Sequence, residues 1–456
     1  MGPLGQLLPK REINADAFIA NNPNCDGRGT LIAIWDTGID PSAKGLQVTS
    51  DGRPKVIDFI DASGSGDVRM KSKQNISETG RTVKTLTGRQ VFIPPHWKPV
   101  DGVIRIGVKP ASELFPKVLL QRLRSEAKEI LWKPCIRHLA ANLASDLLEA
   151  ENILTEHEIP RRSSEPSVGG GVCTVAVKSK GKGEPASEES AANENSKTTI
   201  SRPTSAVPSD YKDTTDYKKQ LAHVRSEAWL LERSLSTIDH NYEALDIIYD
   251  CFTFNDGSKW VACVDTSPYS RGRSLADMPL LADYTVDRQY ACFGEETQLF
   301  YTVKIFNDGK LLQIVTNGSG HGTHVAAMSA AFFPSECEGC SDVRSGAASQ
   351  PQLVRNGVAP GAQLVSIKIS DSRLGGMETG ISLLRAIRWT VELGCDVVNY
   401  SFGEYSVWPN IGRVSKHLIE MINAHGVTMV CSGGNNGPGL GTVGAPGGVV
   451  DGIIGK

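Results

Sequence analysis

Leu31-Ile32-Ala33-Ile34-Trp35 is an unbroken apolar run that stops at Asp36-Thr37-Gly38. Such a run, with no polar position alternating through it, suits a parallel strand buried on both faces, and the Asp that closes it falls at the carboxyl end of the sheet. The same texture returns from about Val354 to Gly455. Leu364-Val365-Ser366-Ile367-Lys368-Ile369, Cys395-Asp396-Val397-Val398-Asn399 and Gly426-Val427-Thr428-Met429-Val430-Cys431 read as strands, and Met377–Leu393 and Ile411–Ala424 carry helical periodicity between them. Strands alternating with helices of that length predict an α/β fold, a parallel sheet with flanking helices.

Between these stretches the pattern changes. Leu119, Leu123 and Ile130, then Leu139, Leu143 and Leu147, mark amphipathic helices. Pro160 to about Thr215 is rich in Ser, Gly, Lys, Glu and Pro and contains Gly169-Gly170-Gly171. It has too little apolar surface to offset its ordering entropy, so disorder is expected there. Helix resumes around Tyr217–Ser236, and two hairpin signals follow: Asn255-Asp256-Gly257 between Phe254 and Trp260, and Asn307-Asp308-Gly309 between Phe306 and Leu311. The expected organisation is one α/β domain made of residues 1–60 and 311–456. A long mixed α+β insertion over 61–310, disordered at about 160–215, interrupts it.

Composition narrows the functional classes. The 456 residues are 40% hydrophobic and 22% charged, ordinary values for a chain that buries a core. With 48 Lys+Arg against 51 Asp+Glu there is no domain-scale basic patch, so no nucleic-acid partner is expected. No apolar run approaches the ~20 residues of a membrane span, and Met1–Lys10 lacks the apolar core of a signal peptide. A cytoplasmic chain with no membrane partner is therefore expected, with its ten cysteines reduced and the sequons at Asn75, Asn317 and Asn399 idle. Cys337-Glu338-Gly339-Cys340 has no second pair to complete a zinc site and reads as loop thiols, and no run of spaced carboxylates around Asp40 makes a calcium loop. No metal or other cofactor is expected.

Three short segments could carry chemistry, and each alone is ambiguous. Asp36, before Thr37-Gly38, reads equally well as a turn or cap residue. In Ser319-Gly320-His321-Gly322-Thr323-His324 two glycines flank a histidine at an apparent helix start. That histidine could be a cap or a core residue, and a His321/His324 metal pair lacks the i,i+4 spacing and Glu of a zinc-protease helix. Val430-Cys431-Ser432-Gly433-Gly434-Asn435-Asn436-Gly437-Pro438 is a strand running into a Gly-rich turn. The turn could be only that, or it could present the Asn435 amide to an oxyanion.

Taken together, the order Asp, then His in His-Gly-Thr-His, then Asn after a Gly-rich strand end resembles the subtilisin-type serine peptidases. More narrowly, the chain is similar to the tripeptidyl-peptidase II family. The narrower likeness lies in Asp26-Gly27-Arg28-Gly29, Thr49-Ser50-Asp51-Gly52, Gly64-Ser65-Gly66-Asp67 and Asn356-Gly357-Val358-Ala359-Pro360-Gly361-Ala362-Gln363. It continues in Met377-Glu378-Thr379-Gly380, Asn399-Tyr400-Ser401-Phe402-Gly403-Glu404 and Gly434-Asn435-Asn436-Gly437-Pro438. It covers roughly residues 5–110, 245–310 and 317–448, and the 285-residue separation of Asp36 from His321 agrees with it.

The resemblance implies a subtilisin-like fold and assigns roles. His321 would be the general base, Asp36 the residue that orients and charges it, and Asn435 an oxyanion-hole donor. Ser401, Phe402 and Gly403 would pair with an extended peptide by β-augmentation. Glu378 and Glu404 would receive its free α-amino group, so that tripeptides are released from peptides with free N-termini, and the full-length protein would form a large homo-oligomer. His324 matches a structural position.

One departure stands out: a Gly-Thr-Ser-Met run should follow Asn435, and no serine follows it at all. The polypeptide as written is expected to be inactive alone. The competing expectation is a truncated isoform or pseudoenzyme acting as a peptide-binding or assembly-modulating module.

Limited proteolysis should cut first between Pro160 and Thr215. If that segment survives as long as the Gly357–Gly437 region, the division of the chain by composition fails.

Overall fold

The computed structural model describes residues 10, 12–76, 80–156, scattered positions between 219 and 236, 246–269, 273–334, 355–404 and 408–455. The segment expected to be disordered and the Cys337/Cys340 pair lie outside them. The chain forms two compact units, residues 1–125 with 244–456, and residues 126–243. In the second unit, Lys133–Glu156 is one long helix continuing a π turn over Lys128–Trp132. The described positions between 219 and 236 are helical as well.

The first unit is built on a six-stranded, fully parallel sheet in the order Ile454–Gly455, Thr428–Cys431, Val397–Tyr400, Leu31–Asp36, Gln363–Lys368, Val56–Asp61. The first strand in the chain lies inside the sheet, between Val397–Tyr400 and Gln363–Lys368, which explains why its run is apolar without alternation. Its two faces meet different partners. Ile32 and Ile34 pack with Ala326 and Ala330 of the helix His321–Ala330. Ala33 and Trp35 pack on the opposite face with Ala386 of the helix Gly380–Glu392 and with Leu418 and Met421 of the helix Arg413–His425. The architecture is α/β, a parallel sheet with helices on both faces.

The helical period that begins at Met377 overruns the true helix. Met377–Glu378 pairs antiparallel with Ser370–Asp371, and the helix starts only at Gly380. Thr379 stops it: its hydroxyl accepts from the Ser382 N–H, and the Ser382 hydroxyl accepts from the Thr379 N–H, a reciprocal cap. Glu378 is thereby placed on a ribbon and not on a helix.

The remaining strands of this unit form antiparallel sheets. One runs Leu281–Ala282, Trp260–Asp265, Ile248–Asn255, Val103–Pro110, Ser72–Asn75; a second runs Ala291–Cys292, Phe300–Phe306, Leu311–Thr316, Asp67–Arg69; a two-stranded one pairs Thr82–Lys84 with Gln90–Phe92. Both Asp-Gly signals close hairpins, with Asn255 opposite Trp260 and Phe306 opposite Leu311. Asn307, Asp308 and Gly309 all take positive φ (52°, 52° and 70°), a conformation that Asn, Asp and Gly tolerate best.

Polar contacts fasten the second antiparallel sheet to the parallel one. Lys304 Nζ lies 2.8 Å from Asp58 Oδ1 and 5.6 Å from the centre of the Trp389 ring. The Lys304 and Asp58 side chains are both nearly inaccessible. Gln313 donates to the Asp61 carbonyl and accepts from the Asp61 N–H. Burial pushes the Asp58 carboxyl above its ordinary range and the Lys304 ammonium opposes that push. Lys304→Ala is therefore expected to cost about 3–5 kcal/mol of unfolding free energy, since it strands a buried charge. The cost should shrink as pH falls, because the stranded Asp58 can then take up a proton and escape the penalty. Urea midpoints across pH measure this, and a pH-independent loss below about 1 kcal/mol would make the pair no stronger than a surface one.

Candidate functional site

Asp36 is the last residue of its strand, in phase with Ile32 and Ile34, and so it faces the helix His321–Ala330. Its side chain is fully buried, whereas that of His321 is half-exposed. His321 Nδ1 sits 2.8 Å from Asp36 Oδ1 and 3.0 Å from Oδ2. A carboxylate only accepts, so the ring donates through Nδ1–H.

Small residues make the approach possible. A Cβ on Gly322 would lie 2.5 Å from the Gly38 carbonyl oxygen and 3.1 Å from Asp36 Oδ1, so the first turn of the helix reaches the carboxylate only because residue 322 has no side chain. Gly38 turns the chain away with φ +97°. Thr37 locks the junction: its N–H donates to Asp36 Oδ1 (2.7 Å), and its hydroxyl accepts from the Gly322 N–H (3.1 Å) and donates to the Ser319 carbonyl (3.2 Å). The Ser319 hydroxyl accepts from the His321 N–H at 3.2 Å. No sequence motif gives Thr37 or Ser319 a role; a hydroxyl directly after a strand-end Asp is the signal the sequence carries.

Phe402 stands edge-to-face with the imidazole at 6.3 Å and stacks on Tyr400 at 6.2 Å. Ser401 donates through its hydroxyl to Asn399 Oδ1 (2.9 Å). Gly403 passes so close to Ala445 that a Cβ would lie 3.2 Å from the Ala445 carbonyl oxygen. Glu404 is bridged antiparallel to Ala445 by two backbone hydrogen bonds. Glu378, half-buried on its ribbon, accepts a hydrogen bond from the Tyr400 hydroxyl at 3.3 Å. Burial first, and then the Glu404 charge, push the Glu378 carboxyl above its ordinary range. Asn435 occupies the exposed turn that follows Thr428–Cys431, at the same end of the sheet as Asp36 but outside the hydrogen-bonded Asp36–His321 pair. His324 is exposed on its helix, and among the described residues no three His, Cys, Asp or Glu side chains gather as metal ligands. No helix among them is long and apolar enough to cross a membrane. The arrangement joins a buried carboxylate, a half-exposed imidazole and a carboxylate pair beyond the strand end. Such a set suits base catalysis beside a cation-binding position.

The subtilase family model matches residues 27–453. Tripeptidyl-peptidase 2 of Oryza sativa subsp. japonica is 35% identical over 455 residues, 99% of this chain and 28% of the relative. The protein of the same name from Caenorhabditis elegans is 35% identical over 449 residues, 98% of this chain and 27% of the relative. The crystal structure of a tripeptidyl peptidase 2 superposes with a TM-score of 0.60 at 26% identity, covering 97% of this chain and 29% of that one. The chain thus spans less than a third of the length of these relatives.

Gly322→Ala tests the junction. Because backbone and the Asp36 side chain surround the new methyl, a loss of about 1–3 kcal/mol is expected, together with loss of the low-field proton resonance of a His321 Nδ1–H bound to Asp36. An unchanged resonance and midpoint would mean that the helix start has room to spare.

Proposed function

The chain belongs to the subtilase family of serine peptidases, and from that premise we propose that it carries the substrate-binding and general-base half of a tripeptide-releasing exopeptidase site. In this reading residues 1–60 and 311–456 are the two parts of the catalytic domain and 61–310 the insertion. Asp36 orients the imidazole and stabilises its protonated form. His321 Nε2 takes the proton of a serine hydroxyl and later delivers it to the leaving amine. The Asn435 amide donates to the oxyanion. Ser401–Gly403 lines up an extended peptide through its backbone, and Glu378 and Glu404 accept its α-ammonium group, so the distance from the acidic pair to His321 sets the length of the product.

The observation that carries the reading is the 2.8 Å hydrogen bond between His321 and the buried Asp36, two groups brought together from 285 residues apart. Support for the free-amine preference comes from Glu378, whose ionised form burial and the Glu404 charge disfavour until a cation arrives. Residues 436–456 contain no serine, so the proposal covers the base and the binding residues and not the nucleophile. Cytoplasmic location and assembly into a large homo-oligomer belong to the same proposal.

A longer form of the protein that supplies the serine provides the test. Tripeptides should appear from peptides with free amino termini, and N-acetylated peptides should be poor substrates. Glu378→Gln should lower kcat/KM on free-amine peptides by about 10- to 100-fold, the exposed Glu404→Gln by less, and both should leave acetylated peptides nearly unchanged. Equal losses on both substrates would make the glutamates structural and overturn the tripeptidyl reading.

A further inference from the structure

We propose that Tyr400 is a positioning residue for amino-terminus capture: its hydroxyl aims the Glu378 carboxylate at the incoming ammonium group. This rests on the reading of Glu378 and Glu404 as the amine-binding pair.

The phenol is held by packing from several sides. Tyr400 ends the strand Val397–Tyr400 and is buried. Its ring stacks on Phe402 and meets Trp35 edge-on at 6.0 Å. Trp35 is itself fixed by a 2.9 Å hydrogen bond from its indole N–H to Thr390 Oγ1. The Tyr400 carbonyl accepts from the Ser432 N–H, which ties the strand end to the Gly-rich turn. A ring held this way leaves its hydroxyl little freedom to move away, and the hydroxyl points at Glu378 Oε1, 3.3 Å off.

Glu378 needs such a donor. Its surroundings work mostly against ionisation, through burial and through Glu404, while its own backbone N–H and the Tyr400 hydroxyl favour the charged form. Burial and the Glu378 charge in turn raise the Tyr400 phenol, so it remains a donor throughout the working pH range. With burial and the Glu404 charge both against its ionisation, Glu378 without this donor is protonated more readily, and a protonated Glu378 binds an ammonium group poorly. The Phe402 ring that supports Tyr400 also touches the His321 ring. One aromatic stack thus joins the amine-binding end of the proposed site to its base.

Calorimetric titration of this chain with trialanine amide and with its N-acetyl form tests the proposal. Tyr400→Phe keeps the ring and removes the hydroxyl. It should weaken binding of the free-amine peptide about tenfold, as expected for one longish hydrogen bond to a charged group, and leave the acetyl form unchanged. The acid limb of free-amine binding should move to higher pH, because losing the donor makes Glu378 easier to protonate while Glu404 remains. In a Glu378→Gln background the Tyr400→Phe change should have almost no effect, since the two side chains act as one unit. Glu378→Asp, which draws the carboxylate back from an intact Tyr400, should reproduce the loss and serves if Tyr400→Phe folds poorly.

If Tyr400→Phe binds the free-amine peptide like the wild type while Glu378→Gln does not, the proposal falls and the acidic pair stands. Should the wild type and Glu378→Gln bind the free and acetylated peptides alike, both fall.

Discussion

A carboxylate at full burial is a demand that its surroundings must meet. Asp36 closes a strand in the interior of a six-stranded parallel sheet and has no exposed surface. A charge in that position is costly unless donors converge on it. The Thr37 N–H and the His321 Nδ1–H converge, and the geometry they need dictates much of the local structure. Gly38 must turn at positive φ, Gly322 must lack a side chain, and the Thr37 and Ser319 hydroxyls must stitch the strand end to the helix start. The half-exposed imidazole is the outward face of this arrangement.

The interposed residues deliver His321 to that place. The strand Leu311–Thr316 belongs to an antiparallel sheet, and it hands the chain directly to Asn317–Gly320 and the helix beyond. Its exit is fixed at both ends: Thr316 donates through its hydroxyl to the Leu114 carbonyl, and the Gly318 N–H donates to the Thr37 carbonyl. Lys304 and Gln313 hold the same sheet to Asp58 and Asp61 of the outer parallel strand. The second antiparallel sheet thereby braces a contact between residues 285 apart in the chain.

The opposite wall of the proposed site is aromatic. Trp35, Tyr400 and Phe402 form a chain of ring contacts from the buried face of the sheet to the imidazole. Its phenol reaches Glu378 on a ribbon that the Thr379 cap sets apart from the following helix. Glu378 and Glu404 on one side and His321 on the other are held by elements with separate local rules, and the aromatic stack links them.

Much of this could be read along the chain. The apolar run Leu31–Trp35 reads as a parallel strand buried on both faces, with Asp36 at its carboxyl end. Asp-Gly pairs located two hairpins, and the glycines beside His321 marked a helix start. These are local signals, carried by side-chain period and backbone freedom within a few residues. What sat beyond their reach was pairing between remote positions: Lys304 with Asp58, Tyr400 with Glu378, Gly322 against Asp36. Helical period also continued through Met377 and Glu378, and a side-chain cap overruled it. Sequence period determines which face a residue takes; only strand register and the return path of the insertion decide which distant residue meets it there.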